Sequence, residues 1–376
     1  MASHQASREA DVGQRDRHVE RVALRVCRVP TVRRPETDGT AAWDKTTLVI
    51  VEIHARGASG LGYSYIDAAA ATVVRDLLEP CLVGADAFAI PALATRMLQA
   101  VRNHGRAGVV ACAISAVDVA LWDLKARLLG VPLAELLGCA RASVPVYASG
   151  GFTSTPPDEL AAEVAAYVAA GHRRVKMKIG RDAQLDAERL YAARAAAGPH
   201  VELMADANGA YTPKQALAMA ELLAAHGVTY FEEPVSSDDL AGLKLVREHA
   251  PPGMAIAAGE YSYDLDDSRA LLAGGAVDIL QADATRCLGI TGFTMMDALC
   301  EAHHAPLSAH CAPALHAHAA AAARRLVHVE QFFDHVRIED MLFDGAPIAH
   351  GGELAYNAAR PGHGLTLRLS EAVRFG

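Results

Sequence analysis

No Cys-x-x-Cys pair occurs among the seven cysteines, at 27, 81, 112, 139, 287, 300 and 311. Their odd number and irregular spacing exclude a disulfide framework or a thiolate zinc ribbon and point to reduced thiols in a cytoplasmic protein. No run of 18 apolar residues free of charge occurs, so no helical membrane span is expected. Met1 to Arg17 has no apolar signal core and reads as a disordered leader, 1–17. Lys and Arg are scattered and outnumbered, 35 against 44 Asp and Glu, for a net charge of −9. That balance excludes the basic stripe of a nucleic-acid surface.

What is present is a large apolar fraction, 52% of 376 residues, enough for about two domains. His18 to Pro30 alternates apolar and polar residues as a half-buried strand does, and Thr46 to His54 forms a second such run. Between them Thr31 to Lys45 reads as a loop, and the residues after the second strand as a turn to Gly62. Ala68 to Gly138 is Ala- and Leu-rich with helical spacing. These elements suggest an α+β domain over 18–142.

From Val144 the rhythm changes. Eight β-rich runs, VPVYAS, RRVKMKI, VELMAD, TYFEE, AIAAGE, DILQAD, APLSAH and VHVEQF, alternate with helical stretches. Eight such units predict an α/β fold, a (β/α)₈ TIM barrel, over 143–345, with 346–376 as a closing segment. An open doubly wound sheet would carry a Gly-x-Gly-x-x-Gly turn after its first strand, whereas this run ends Ser149-Gly150-Gly151.

A polar residue stands at the end of nearly every run: Lys176 and Lys178, then Asp206, Glu232, Glu260, Asp283, His310 and Glu330. Successive gaps from Lys178 are 28, 26, 28, 23, 27 and 20 residues, about one βα unit each, so a barrel would bring all of them to its C-terminal mouth. Asp206, Glu232 and Glu260 on adjacent strands repel one another unless a hard cation sits among them, and oxygen donors suit Mg²⁺. Such an ion could hold a substrate carboxylate and stabilise the enediolate formed when the neighbouring proton leaves. Lys176 and Lys178, at i and i+2, share one face of their strand with Met177 on the other. A lysine beside a second cation should have a lowered pKa and be available as a base. Asp283, one strand before His310, can orient its ring.

At these residues the sequence resembles the mandelate racemase subgroup of the enolase superfamily. The resemblance runs from about His18 to Phe375 and is carried by Lys176-x-Lys178, Asp206-Ala207-Asn208, Glu232-Glu233-Pro234, Gly259-Glu260, Gln281-Ala282-Asp283, Ser308-Ala309-His310 and the stretch from Ala113 to Gly138. It departs from the family at Ala282, where Pro is frequent, and at Gly209. The resemblance implies that the N-terminal part and the last residues together cap the barrel. It further implies Lys178 as base, Lys176 as its tuning and substrate-binding partner, and Asp206, Glu232 and Glu260 as Mg²⁺ ligands. His310 with Asp283 matches a second acid/base dyad, Glu330 an electrophilic partner of the substrate carboxylate, and Ser149 and Asn208 substrate contacts. The expected substrate is a small carboxylate, most simply an acid sugar to be dehydrated, with racemisation, epimerisation or cycloisomerisation open to the same residues. A homo-oligomer, dimer to octamer, is expected.

Substrate choice should sit in the loop Thr31 to Trp43 and the turn Tyr63 to Asp67, where Arg33, Arg34, Trp43 and Tyr65 could touch a polyol. His316 and His318, at i and i+2 on a helix, do not share a face and read as helix residues. His303-His304, Cys311 and the turn Pro361 to Gly364 read as structural.

Overall fold

The computed structural model describes residues 17–32 and 34–376. The leader, Arg17 excepted, and Arg33 lie outside the described residues.

Three antiparallel strands open the chain: β1 (Arg21–Pro30), β2 (Lys45–Ala55) and β3 (Ala58–Tyr65), in the order β1-β2-β3. The third strand corrects the expectation of a turn. Gly60 and Gly62 look like turn residues, but they serve close packing against α1 (Val109–Leu129). A Cβ on Gly60 would lie 2.1 Å from the Ala120 carbonyl oxygen, and one on Gly62 2.1 Å from that of Ala116. Only a missing side chain lets sheet and helix approach so closely. Around this contact Val49, Val51, Ile53, Ile114, Val117 and Leu121 are buried in a core of their own.

The eight parallel strands are β4 (Ser143–Gly150), β5 (Arg174–Lys178), β6 (Glu202–Asp206), β7 (Val228–Glu232), β8 (Ala255–Ala258), β9 (Ile279–Ala282), β10 (Leu307–Ala309) and β11 (Leu326–Phe332). Each pairs with the next, and β11 returns to β4 through Glu330 opposite Tyr147 and Phe332 opposite Ser149, closing the barrel. Outward residues such as Val175, Met177, Leu203, Ala205 and Phe231 join the large core under the helices. Inward ones alternate with them, as the period of two requires. At the barrel floor Tyr147, Met204, Tyr230 and Ala257 fill the interior.

The last segment touches both parts. Strand β12 (Glu353–Ala355) pairs antiparallel with β4, whereas Phe375 accepts a hydrogen bond from Arg28 N–H in β1 at 2.7 Å. Asp123, wholly buried on α1, accepts from Leu61 N–H, His363 N–H and Arg127 Nε at 2.8, 2.8 and 2.6 Å, tying the cap to the chain's end. Among the described residues no helix is long and apolar enough to cross a membrane.

Candidate active site at the barrel mouth

The carboxyl ends of β5 to β11 converge, and the charged residues marked at the ends of the β-rich runs, from Lys176 to Glu330, arrive there. Asp206 and Glu232 end their strands, whereas Glu260, Asp283 and His310 lie just beyond β8, β9 and β10. One oxygen of each of Asp206, Glu232 and Glu260 falls within 4.8 Å of the others, and all three are buried.

Two lysines enter this cluster from β5. Lys176 Nζ lies 2.5 Å from Glu232 Oε2, 2.9 Å from Glu330 Oε1 and 3.6 Å from Asp206 Oδ2, over the Tyr147 ring. Lys178 Nζ donates to Asp206 Oδ2 at 2.5 Å. The lowered pKa expected for Lys178 is not found among the protein groups alone. Burial and Lys176 push it down, but Asp206 against Nζ outweighs them and holds it above the ordinary lysine value.

On the other side His310 sits between two carboxylates, its Nδ1 2.9 Å from Asp283 Oδ2 and its Nε2 2.9 Å from Glu260 Oε2. Burial disfavours the imidazolium, but Cys311, Glu260 and Asp283 together raise the pKa well above the usual histidine range. Burial likewise opposes ionisation of Glu330, yet Lys176, His310 and Lys178 hold its carboxyl below the ordinary range. In this arrangement Glu330 is an acceptor, taking the Cys311 N–H at 3.1 Å.

The cluster fits a divalent cation. Glu232 Oε1 and Asn208 Oδ1 are buried with no hydrogen-bond partner. Burial and the neighbouring Asp206 push the Glu232 carboxyl up to about 8 despite Lys176. Three mutually repelling carboxylates, one with an unsatisfied oxygen, are what an ion such as Mg²⁺ relieves.

Above this floor lies a cavity of about 430 Å³, lined from the barrel by Lys178, Asn208, Glu260, Tyr261, Arg286, His310, Cys311, Glu330, Phe332 and His335, and from the cap by Asp38, Ala41, Trp43, Lys45 to Thr47 and Tyr65 to Asp67. The cap loop is docked on the barrel. Thr37 Oγ1 meets Thr153 Oγ1 at 2.6 Å, Arg181 Nε donates to the Asp38 carbonyl at 2.8 Å, and Thr40 Oγ1 to that of Asn208 at 3.2 Å.

The remaining marked residues divide. Trp43 and Tyr65 line the cavity, Tyr65 stacked on His335 with ring centroids 3.3 Å apart. Arg34 does not: it pairs with Glu159 at 2.6 Å beside a separate hollow. Ser149 points inside the barrel, fully buried, and does not reach the cavity wall. His316 and His318 are buried in α2 (Pro313–Ala322), and His363 binds the Leu61 carbonyl at 2.6 Å. Cys311 is the correction. It is no bystander, because its Sγ lies 3.3 Å from His310 Nε2 and 3.4 Å from Glu330 Oε2. Arg286 was also missed: its guanidinium reaches Glu260 at 3.5 Å and Asp283 at 3.6 Å. The available signals were position alone, one residue after His310 and three after Asp283.

Comparison with known proteins agrees with this geometry. Residues 21–138 match the family described as mandelate racemase / muconate lactonizing enzyme, N-terminal domain, and residues 159–372 the family described as enolase C-terminal domain-like. The chain is 35% identical to the 3,6-anhydro-alpha-L-galactonate cycloisomerase of Streptomyces coelicolor, over 95% of this chain and 99% of that one. It superposes with a TM-score of 0.93 on a mandelate racemase/muconate lactonizing enzyme-like protein from Rubrobacter xylanophilus, 52% identical over 95% of this chain and 99% of that one. The L-talarate/galactarate dehydratase of Salmonella typhimurium LT2, solved with Mg and L-lyxarohydroxamate, superposes with a TM-score of 0.86 at 30% identity, covering 95% and 92%. With the barrel closed, the carboxylates gathered at its mouth and both family segments matched in order, this chain belongs to the enolase superfamily, in its mandelate racemase and muconate lactonizing enzyme branch.

Proposed function

We propose that this protein dehydrates an acid sugar, an aldonate or aldarate, by removing the proton next to its carboxylate. The observation that supports this most directly is the pair of proton-transfer groups flanking the carboxylates, Lys178 at 2.5 Å from Asp206 and His310 at 2.9 Å from Glu260. They stand at the ends of β5 and β10, on different sides of the barrel mouth. Mg²⁺ held by Asp206, Glu232 and Glu260 would bind the substrate carboxylate and offset the negative charge that grows on it as the proton leaves.

One of Lys178 and His310 takes the α-proton, and the C–H electron pair becomes a C=C bond. The other delivers a proton to the β-hydroxyl, which leaves as water, and the resulting enol tautomerises to a 2-keto-3-deoxy acid. Asp283 keeps His310 in one orientation through Nδ1, leaving Nε2 toward the reacting carbon. Lys176 steadies Glu232 and Glu330 from below. The cap loop excludes water from above, which strengthens each ionic contact.

The cycloisomerase at 35% identity favours one second reading, in which the same two groups shift protons without loss of water. Incubating a panel of aldonates and aldarates with Mg²⁺ in D₂O separates the two. Accumulation of a 2-keto-3-deoxy product from these open-chain acids is expected; α-deuteration with no such product would select the isomerase. With its seven cysteines all free thiols, the protein is proposed to act in the cytoplasm.

A further inference from the structure

Cys311 is the one sulfur on the cavity wall, and the proton transfers give it no task. Its position is held with care. Cys311 and Ala312 both take positive φ, 52° and 41°, conformations that side chains adopt only when their surroundings impose them. The impositions are visible. Cys311 N–H donates to Glu330 Oε2, and Ala312 N–H to His335 Nδ1 at 3.2 Å. His316 Nε2 accepts from Ala284 N–H at 3.0 Å, so its proton sits on Nδ1, which donates to the Cys311 carbonyl at 2.7 Å. The thiol is thereby fixed in a triangle with His310 Nε2 and Glu330 Oε2, whose sides are 3.3, 3.4 and 3.7 Å.

We propose that His310, Cys311 and Glu330 form a second metal site, one that takes Zn²⁺ or a similarly thiophilic divalent ion. Tetrahedral zinc, with Zn–S of ~2.3 Å and Zn–N or Zn–O of ~2.0–2.1 Å, sets its donors roughly 3.3–3.6 Å apart, close to the triangle observed. The surroundings match as well. His310 gives its other ring nitrogen to the Asp283 carboxylate at 2.9 Å, the arrangement that orients metal-bound histidines. Glu330 spends Oε1 on Lys176 and keeps Oε2 for the site. The fourth position opens on the cavity that all three residues line. Binding releases the thiol proton to solvent, so the site holds zinc as a thiolate, imidazole and carboxylate complex. Among the described residues it is the only such cluster containing sulfur; the other, Asp206 with Glu232 and Glu260, is all oxygen and suits the harder ion. Occupation takes His310 Nε2 from Glu260 and from the reaction, so zinc switches the enzyme off. That inhibitory half rests on the role proposed for His310, whereas the binding half does not.

The test uses the whole protein saturated with Mg²⁺ and titrated with Co²⁺ as a spectroscopic stand-in for zinc. A sulfur-to-cobalt charge-transfer band should appear and saturate at one equivalent in the wild type and be absent from Cys311→Ser. No band in the wild type, or one that survives the substitution, overturns the site. Zn²⁺ should inhibit turnover, with the half-inhibiting concentration raised at least about tenfold in Cys311→Ser, each variant measured against its own uninhibited rate. A band that behaves as stated with turnover indifferent to Zn²⁺ overturns the inhibitory half and, with it, the role of His310. Should Cys311→Ser fail to fold, alkylation of the wild type decides. Zn²⁺ should slow labelling of Cys311 but not of exposed Cys139, and equal labelling with and without zinc refutes the proposal.

Discussion

Replacing Glu339 by Gln should flatten the dependence of stability on pH. Glu339 lies on the helix Phe333–Leu342, buried behind the Cys311 corner. Its Oε1 accepts from Tyr63 Oη at 2.6 Å and Tyr65 Oη at 3.4 Å, and its Oε2 from Ala314 N–H at 2.9 Å. It thus joins the cap sheet to the barrel. Burial pushes its carboxyl up from 4.5 to about 8, even against these donors. The folded chain therefore keeps a proton that the unfolded chain releases above pH 4.5, and this stabilisation is complete below that pH. As pH rises from there to about 8, stability falls by ~1.4 kcal/mol per pH unit and then levels off. The window of about 3.5 pH units amounts to roughly 5 kcal/mol at most, or ~6 °C in Tm at ~2.1 cal/mol/K per residue. Gln carries no such slope. Its NH₂ cannot accept from Ala314 N–H, so the variant should be ~1–3 kcal/mol less stable at pH 5. Between pH 5 and 8.5 the deficit should shrink and then reverse. Tm of both proteins across that range, in buffers of matched ionic strength, checks it, since every other titrating group is shared. Parallel curves would show that Glu339 is ionised throughout and refute the reasoning.

The remaining predictions concern the mouth. Asp206→Asn, Glu232→Gln and Glu260→Gln should each abolish Mg²⁺-dependent activity while leaving the circular dichroism spectrum unchanged, and calorimetric titration should show Mg²⁺ affinity lost. Lys178→Ala and His310→Asn should each lower kcat by roughly 10²–10⁴. In D₂O one of them should lose α-proton exchange and the other keep it without turnover; full turnover in both would remove these residues from the mechanism. Gly39→Ala should raise KM, because the added Cβ would sit 2.1 Å from the Ala207 carbonyl oxygen and lift the cap loop off the barrel. A bound acid sugar should slow protease cleavage within Thr31 to Trp43 in the wild type and lose that effect in Gly39→Ala.

Sequence alone determined the barrel and the residues around its mouth. Strand period and βα spacing are local properties, and a closed parallel sheet turns the carboxyl end of every strand toward the same point. Asp206, Glu232, Glu260 and His310 were therefore legible without coordinates, and so was Asp283 beside His310. What depended on approach between distant segments was not. Gly60 and Gly62 read as a turn because their reason lies on α1, some 60 residues later. The charge state of Lys178 turns on which carboxylate stands nearest, and Asp206 at 2.5 Å reverses the expectation drawn from its lysine neighbour. Cys311 looked inert because a cysteine's chemistry is set by its partners. The strained corner after β10 and the carboxylate on β11 that supply them meet only when the barrel closes.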